Sequence, residues 1–156
     1  MRIHSLTVLA ALTTAALPAT VALADAKEDA IDARRGYYQV VKHNAAMLGG
    51  MAKGSVEYDA ATATAHAKNL AALAKMDTGS MWPAGSDNSA MPGKTRALPV
   101  AWSTFPAITE KQEAFVTASE TLAEEAGEGL DALRANVGPL FDSCKACHDT
   151  YRAKDF

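Results

Sequence analysis

The stretch Leu130-Asp-Ala-Leu133-Arg-Ala-Asn-Val137-Gly-Pro139-Leu140-Phe-Asp-Ser-Cys144-Lys-Ala-Cys147-His148-Asp-Thr-Tyr151 decides the fold. Leu130, Leu133, Val137, Leu140, Cys144, Cys147 and Tyr151 alternate in steps of three and four. Residues so spaced share one face of an α-helix. The pattern predicts an amphipathic helix with both cysteines on its core-facing stripe. Pro139 conflicts with it locally, because proline has no N–H for the carbonyl of Ala135. The chain there either kinks or restarts a helix.

Three more helical segments precede this one. Residues 25–52 carry Ile31, Arg34, Tyr38, Val41, Ala45, Leu48 and Ala52 in the same three-four spacing. Helices packed in a bundle use this heptad pattern. Asp25 with Glu28 reads as an N-cap and capping box, and Gly54 as the C-terminal cap. Residues 59–76 place Ala63, His66, Leu70 and Leu73 on an inner face. Residues 108–126 space Ile108, Phe115 and Leu122 seven apart, and Gly127 and Gly129 end them. Between the second and third segments, residues 78–100 hold three prolines and three glycines. A connection of that length is unusual in a compact domain and is often functional. Four such helices and no strand pattern predict an all-α four-helix bundle.

Composition agrees and adds a difficulty. Of 156 residues, 34 are Ala, only three are Ile, and 6% are aromatic. That balance favours helix over sheet but supplies little core volume. Either the helices pack very closely or something else fills the interior. A net charge of −3 argues against a nucleic-acid surface. No catalytic triad, paired-carboxylate site or metal-hydrolase motif is evident, so the chain reads as a non-enzyme.

Residues 1–24 read as a cleaved secretory signal peptide, followed by one domain over residues 25–156. Arg2 begins it, residues 6–17 are apolar or neutral, and Ala22-Leu23-Ala24 is a small-residue cleavage motif. The alternatives are a buried first helix or a membrane anchor, but spanning a bilayer takes about 20 apolar residues. Nothing later approaches that length. Export implies the periplasm, outside the reducing cytosol.

Cys144-Lys-Ala-Cys147-His148 is the attachment signal of a c-type haem. Two thiols three residues apart on a helix face one side, and each can add to one vinyl group. His148 lies four residues after Cys144 on that side and can ligate the iron. Three other readings compete. A thioredoxin-like pair needs a βαβ context, a zinc site needs about four ligands, and a disulfide across three helical residues has poor geometry.

The motif at the C-terminus, continued as Asp149-Thr-Tyr-Arg152, resembles the cytochrome c-prime family, the class II c-type cytochromes. So do the run from Glu28 to Tyr38, the segment Trp82-Pro-Ala-Gly-Ser86, Met91-Pro-Gly-Lys-Thr95, and Trp102. The similarity extends over residues 25–156. It implies an antiparallel four-helix bundle, usually a homodimer, with one haem near the C-terminal helix. It implies thioether roles for Cys144 and Cys147 and a proximal-ligand role for His148. By the same resemblance Arg34 lies near the haem propionates, Arg35 and Thr95 are haem contacts, Tyr38 is the bulky distal residue, and Arg152 follows the ligand by one turn. Arg34 also interrupts an apolar stripe. A charge there needs a partner, either a propionate, a nearby acid, or solvent reached by snorkelling.

The far side of the iron sets the function. Met47 lies nine residues after Tyr38, about 180° round and roughly 13 Å along the helix, and Met51 is farther still. In the register that the resemblance implies, neither can replace Tyr38 over the iron. Met76, Met81 and Met91 flank or lie in the long connection. His43 is expected at the surface and His66 as a hydrogen-bonded bundle histidine. The expected function is therefore an exported haem protein with an open distal side that binds nitric oxide or carbon monoxide and exchanges electrons with unidentified redox partners. The alternatives are a six-coordinate electron carrier and a thiol–disulfide oxidoreductase.

Overall fold

A computed structural model describes residues 19–156. Most of the expected signal peptide, residues 1–24, thus lies outside the described residues. Five α-helices form: α1 (Ala19–Lys53), α2 (Ala60–Ala74), α3 (Val100–Ser103), α4 (Phe105–Glu125) and α5 (Leu130–Tyr151). The four long ones pack in a ring, α1 on α2, α2 on α4, α4 on α5 and α5 on α1. Their direction alternates. Tyr58, just before α2, donates to Ala126 O at 2.9 Å and accepts from Gly129 N at 3.1 Å, which joins the α1–α2 and α4–α5 turns at one end. At the other end Gln112 Nε2 donates to Ala74 O at 2.9 Å.

Small side chains let these helices close. Ala45, Ala63, Ala67, Ala74 and Ala126 are all buried in the core. Leu48, Leu70, Leu122, Leu133 and Leu140 are fully buried around them. Each such leucine contributes about 1.5–3 kcal/mol relative to exposure.

Four expectations need correction. In the uncleaved chain α1 begins at Ala19 rather than at Asp25, because the alanine-rich residues before Asp25 are strong helix formers. Gly54, at φ 78°, does end it. On α1 the core position is held by Tyr37, 8% exposed, while Tyr38 is 43% exposed. Helix α1 packs more closely on α2 than on α5, so Tyr37, which reaches α2, is covered, while Tyr38, on the α5 side, is not. On α2 the buried set is Ala63, Ala67, Leu70 and Ala74, with His66 and Leu73 at its margin. The short helix α3 was not expected; a single turn after Pro99 is too short to show periodicity.

Asp59, at the expected start of the second segment, caps α2, accepting from Thr62 N at 2.7 Å. Helix α5 runs unbroken through Pro139. Pro139 and Ala135 both face solvent, so water can satisfy the carbonyl the proline leaves free.

The long connection folds over the lower end of the bundle and is tied to the end of α5. Leu98 N donates to Tyr151 O at 2.9 Å and Ala153 N to Arg96 O at 2.8 Å. Among the described residues no helix is long and apolar enough to cross a membrane.

Candidate haem site

The α1–α5 seam is the least tightly packed of the four in the ring. Its upper part is shut. Arg134 Nε donates to Ala52 O at 2.9 Å, and the Phe141 ring lies against Gly49 so closely that a Cβ there would sit 2.9 Å from Phe141 Cζ. Below Phe141, Cys144 and Cys147 are half-buried free thiols on α5, and the half-exposed Tyr38 of α1 lies within electrostatic reach of both.

Burial pushes both thiols above their usual range, with Ser143 opposing this at Cys144 and Lys111 opposing it at Cys147. Burial also holds the Tyr38 phenol far above its usual value, reinforced by Tyr37 and Cys147 and opposed by Arg34. Tyr38 is thus a neutral hydroxyl within electrostatic reach of both sulfurs. Its ring meets Tyr37 edge-on at 4.9 Å, and Tyr37 in turn donates to Leu73 O at 2.9 Å.

His148 stands at the surface on the last turn of α5. Partial burial and the cation of Arg96 hold it below the ordinary imidazole value, against the pull of Asp149. This favours its neutral form, the form that binds metals. Arg152 Nη1 lies 3.4 Å from its Nδ1.

Arg34 is 4% exposed. Its Nη1 donates to Met81 O and Ser86 Oγ at 3.2 Å each, and its Nη2 to Ser86 O and Thr95 Oγ1 at 2.9 Å each. The guanidinium stacks 4.3 Å from the Trp82 ring, and Trp102 donates its indole N–H to Trp82 O at 3.1 Å. Every one of these partners is neutral, and among the described residues no carboxylate pairs with Arg34. Burial lowers its pKa, but an arginine stays charged.

The expected site residues thus separate. Thr95 joins Arg34 in one buried cluster, and Tyr38 joins Cys144 and Cys147 at the seam. Arg35 joins neither; it is exposed and pairs with Asp32 at 3.5 Å. Ser86, fully buried, was given no role by sequence reasoning. The one local signal for it is Gly85, whose φ of 73° makes the turn that presents Ser86 to Arg34.

These groups suit a haem. Two free thiols on one helix face, an imidazole one turn beyond Cys144, the loosest seam of the ring beside them, and a buried cation without an anion match its vinyl groups, iron, bulk and carboxylates. The neutral hydroxyl of Tyr38 across the seam is a weak ligand.

Comparisons with known proteins agree. The family described as Cytochrome C' matches residues 29–152. A cytochrome c' from Cereibacter sphaeroides is 40% identical over 147 residues, 94% of this chain and 97% of that protein. The solved cytochrome c' from "Rhodobacter Spheriodes" superposes with a TM-score of 0.80 at 37% identity, covering 82% of this chain and 98% of that one. A second solved cytochrome c', described as having a ligand-controlled dimer dissociation, superposes with a TM-score of 0.75 at 30% identity over 82% of this chain and 97% of that one. The helical ring, the pair of thiols at the end of its last helix and these matches together make this chain a member of the cytochrome c' family, an electron-transport haem protein with covalently bound haem c.

Proposed function

We propose that the mature chain is an exported, periplasmic haem protein with an open distal side, which takes up nitric oxide or carbon monoxide and exchanges electrons without being an enzyme. Cys144 and Cys147 form the two thioether bonds, and His148 holds the iron through its neutral imidazole. The haem, when bound, supplies the electron-accepting iron and the coordination position for a small gas. The observation that carries this reading is the pairing across the α1–α5 seam: what faces the two thiols is Tyr38, a neutral phenol far from ionising. A protonated phenol is a poor ligand, so it covers the distal side without closing it.

Arg34 contributes its charge more than its hydrogen bonds. Its terminal nitrogens already hold the connection through Met81, Ser86 and Thr95, so it balances the propionates mainly through space. Thr95 orients Arg34, and Arg35 stays a surface group. A thiol–disulfide oxidoreductase needs a thiol with lowered pKa, whereas burial raises both here. The signal peptide, residues 1–24, delivers the chain to the compartment where haem attachment takes place. We take the assembly to be a homodimer, in line with the family and with the dimer named for the second solved relative.

Spectra of the purified ferric and ferrous protein, with and without carbon monoxide, test the reading. A high-spin ferric spectrum and carbon monoxide uptake by the ferrous form are expected. A low-spin spectrum with a Met–iron charge-transfer band near neutral pH would overturn it. Sedimentation of the same samples reads the assembly.

A further inference from the structure

The opposite flank of α1 holds two imidazoles that the haem site does not use. The chain has four histidines; His4 lies in the expected signal peptide and His148 at the haem site, which leaves His43 on α1 and His66 on α2. Their rings face each other across the α1–α2 groove, centroids 5.6 Å apart and planes at 70°.

The hydrogen bonds around His66 determine which nitrogen is free. Asn44 is 3% exposed, and its Nδ2 donates to Val40 O at 2.8 Å. Its Oδ1 is therefore turned toward α2, where it accepts from Asn69 Nδ2 at 3.0 Å. His66 Nδ1 lies 2.9 Å from that same oxygen. An amide oxygen can only accept, so Nδ1 carries the proton and Nε2 keeps its lone pair. A carbonyl oxygen that fixes the tautomer and orientation of an imidazole is the usual support behind a metal-binding histidine. His43 is exposed and can turn about its side-chain torsions. Two imidazoles bound to one ion at about 2.0–2.1 Å place their ring centres roughly 5–6 Å apart. The observed separation already matches.

We propose that His43 and His66 form a two-imidazole site for a divalent transition-metal ion, bridging α1 and α2 and completed by water. Nitrogen ligands of this kind favour Cu²⁺ over Ni²⁺ and Zn²⁺. The site lies away from the thiols and is independent of the haem reading.

Calorimetric titration of the mature holoprotein with Ni²⁺ and with Cu²⁺ tests it. One ion per chain is expected, with Cu²⁺ the tighter. His43→Ala and His66→Ala should each weaken binding tenfold or more, since one imidazole alone loses the chelate. His43 is exposed, so His43→Ala keeps its fold, and an unchanged haem spectrum verifies this. Added Ni²⁺ should also raise the melting temperature of the wild type and leave that of His43→Ala unmoved. Unchanged affinity in His43→Ala would overturn the proposal. So would two weaker independent ions per chain, one lost with each variant.

Discussion

At the scale of single residues, Arg34 and Arg35 show how much the neighbourhood decides. They are adjacent in sequence and equal in charge. Arg34 is buried, donates four hydrogen bonds and stacks on Trp82; Arg35 is exposed and pairs with Asp32. Replacing Arg34 by Ala strands buried acceptors on Ser86 and Thr95 and frees the connection that crosses the bundle. The expected loss is about 3 kcal/mol in denaturant unfolding of the holoprotein. Arg35→Ala should stay within about 0.5 kcal/mol, as an exposed pair does. Periodicity singled out Arg34 as a charge on an apolar stripe, and that was legible. Its partners were not, because Met81, Ser86 and Thr95 lie 47 to 61 residues away and only the path of the connection brings them to it.

At the scale of elements, the helices were readable wherever apolar spacing persisted for several turns. The segments centred on 25–52, 59–76, 108–126 and 130–151 all exist, and Asp59 and Gly54 act as caps. Which residue of a neighbouring pair faces inward was not readable, since both Tyr37 and Tyr38 continue the three-and-four spacing between Arg34 and Val41. Pro139 was ambiguous for a related reason. A proline removes one hydrogen bond in any helix, but whether the helix survives depends on solvent reaching the orphaned carbonyl. Here it survives, exposed, in the middle of α5. Pro139→Ala restores the bond to Ala135 O and removes no buried contact. It should therefore stabilise the holoprotein by about 1–3 kcal/mol and raise its melting temperature, read by circular dichroism. An unchanged or lower temperature would show that the proline ring packs usefully where it stands.

At the scale of the whole molecule, the alanine-rich composition and the cofactor answer each other. Buried alanines let the helices close tightly, while the α1–α5 seam, where Cys144, Cys147 and Tyr38 lie, is the loosest of the ring. A haem placed there supplies the bulk that the side chains lack. The doubly substituted Cys144→Ala, Cys147→Ala chain, which cannot attach haem, should unfold gradually and bind a hydrophobic dye. Unfolding as cooperative as that of the holoprotein would contradict this. Sequence by itself determined the helical class, the haem-attachment motif and the bundle, because each is written in local spacing: three and four residues for a helix face, two between the thiols, one to the imidazole. Only the tertiary structure decided that Tyr37 is core and Tyr38 faces the thiols, that Arg34 anchors the connection, and that His43 meets His66. Those are contacts between residues far apart in the chain, and no local pattern encodes the angle at which two helices present their flanks to each other.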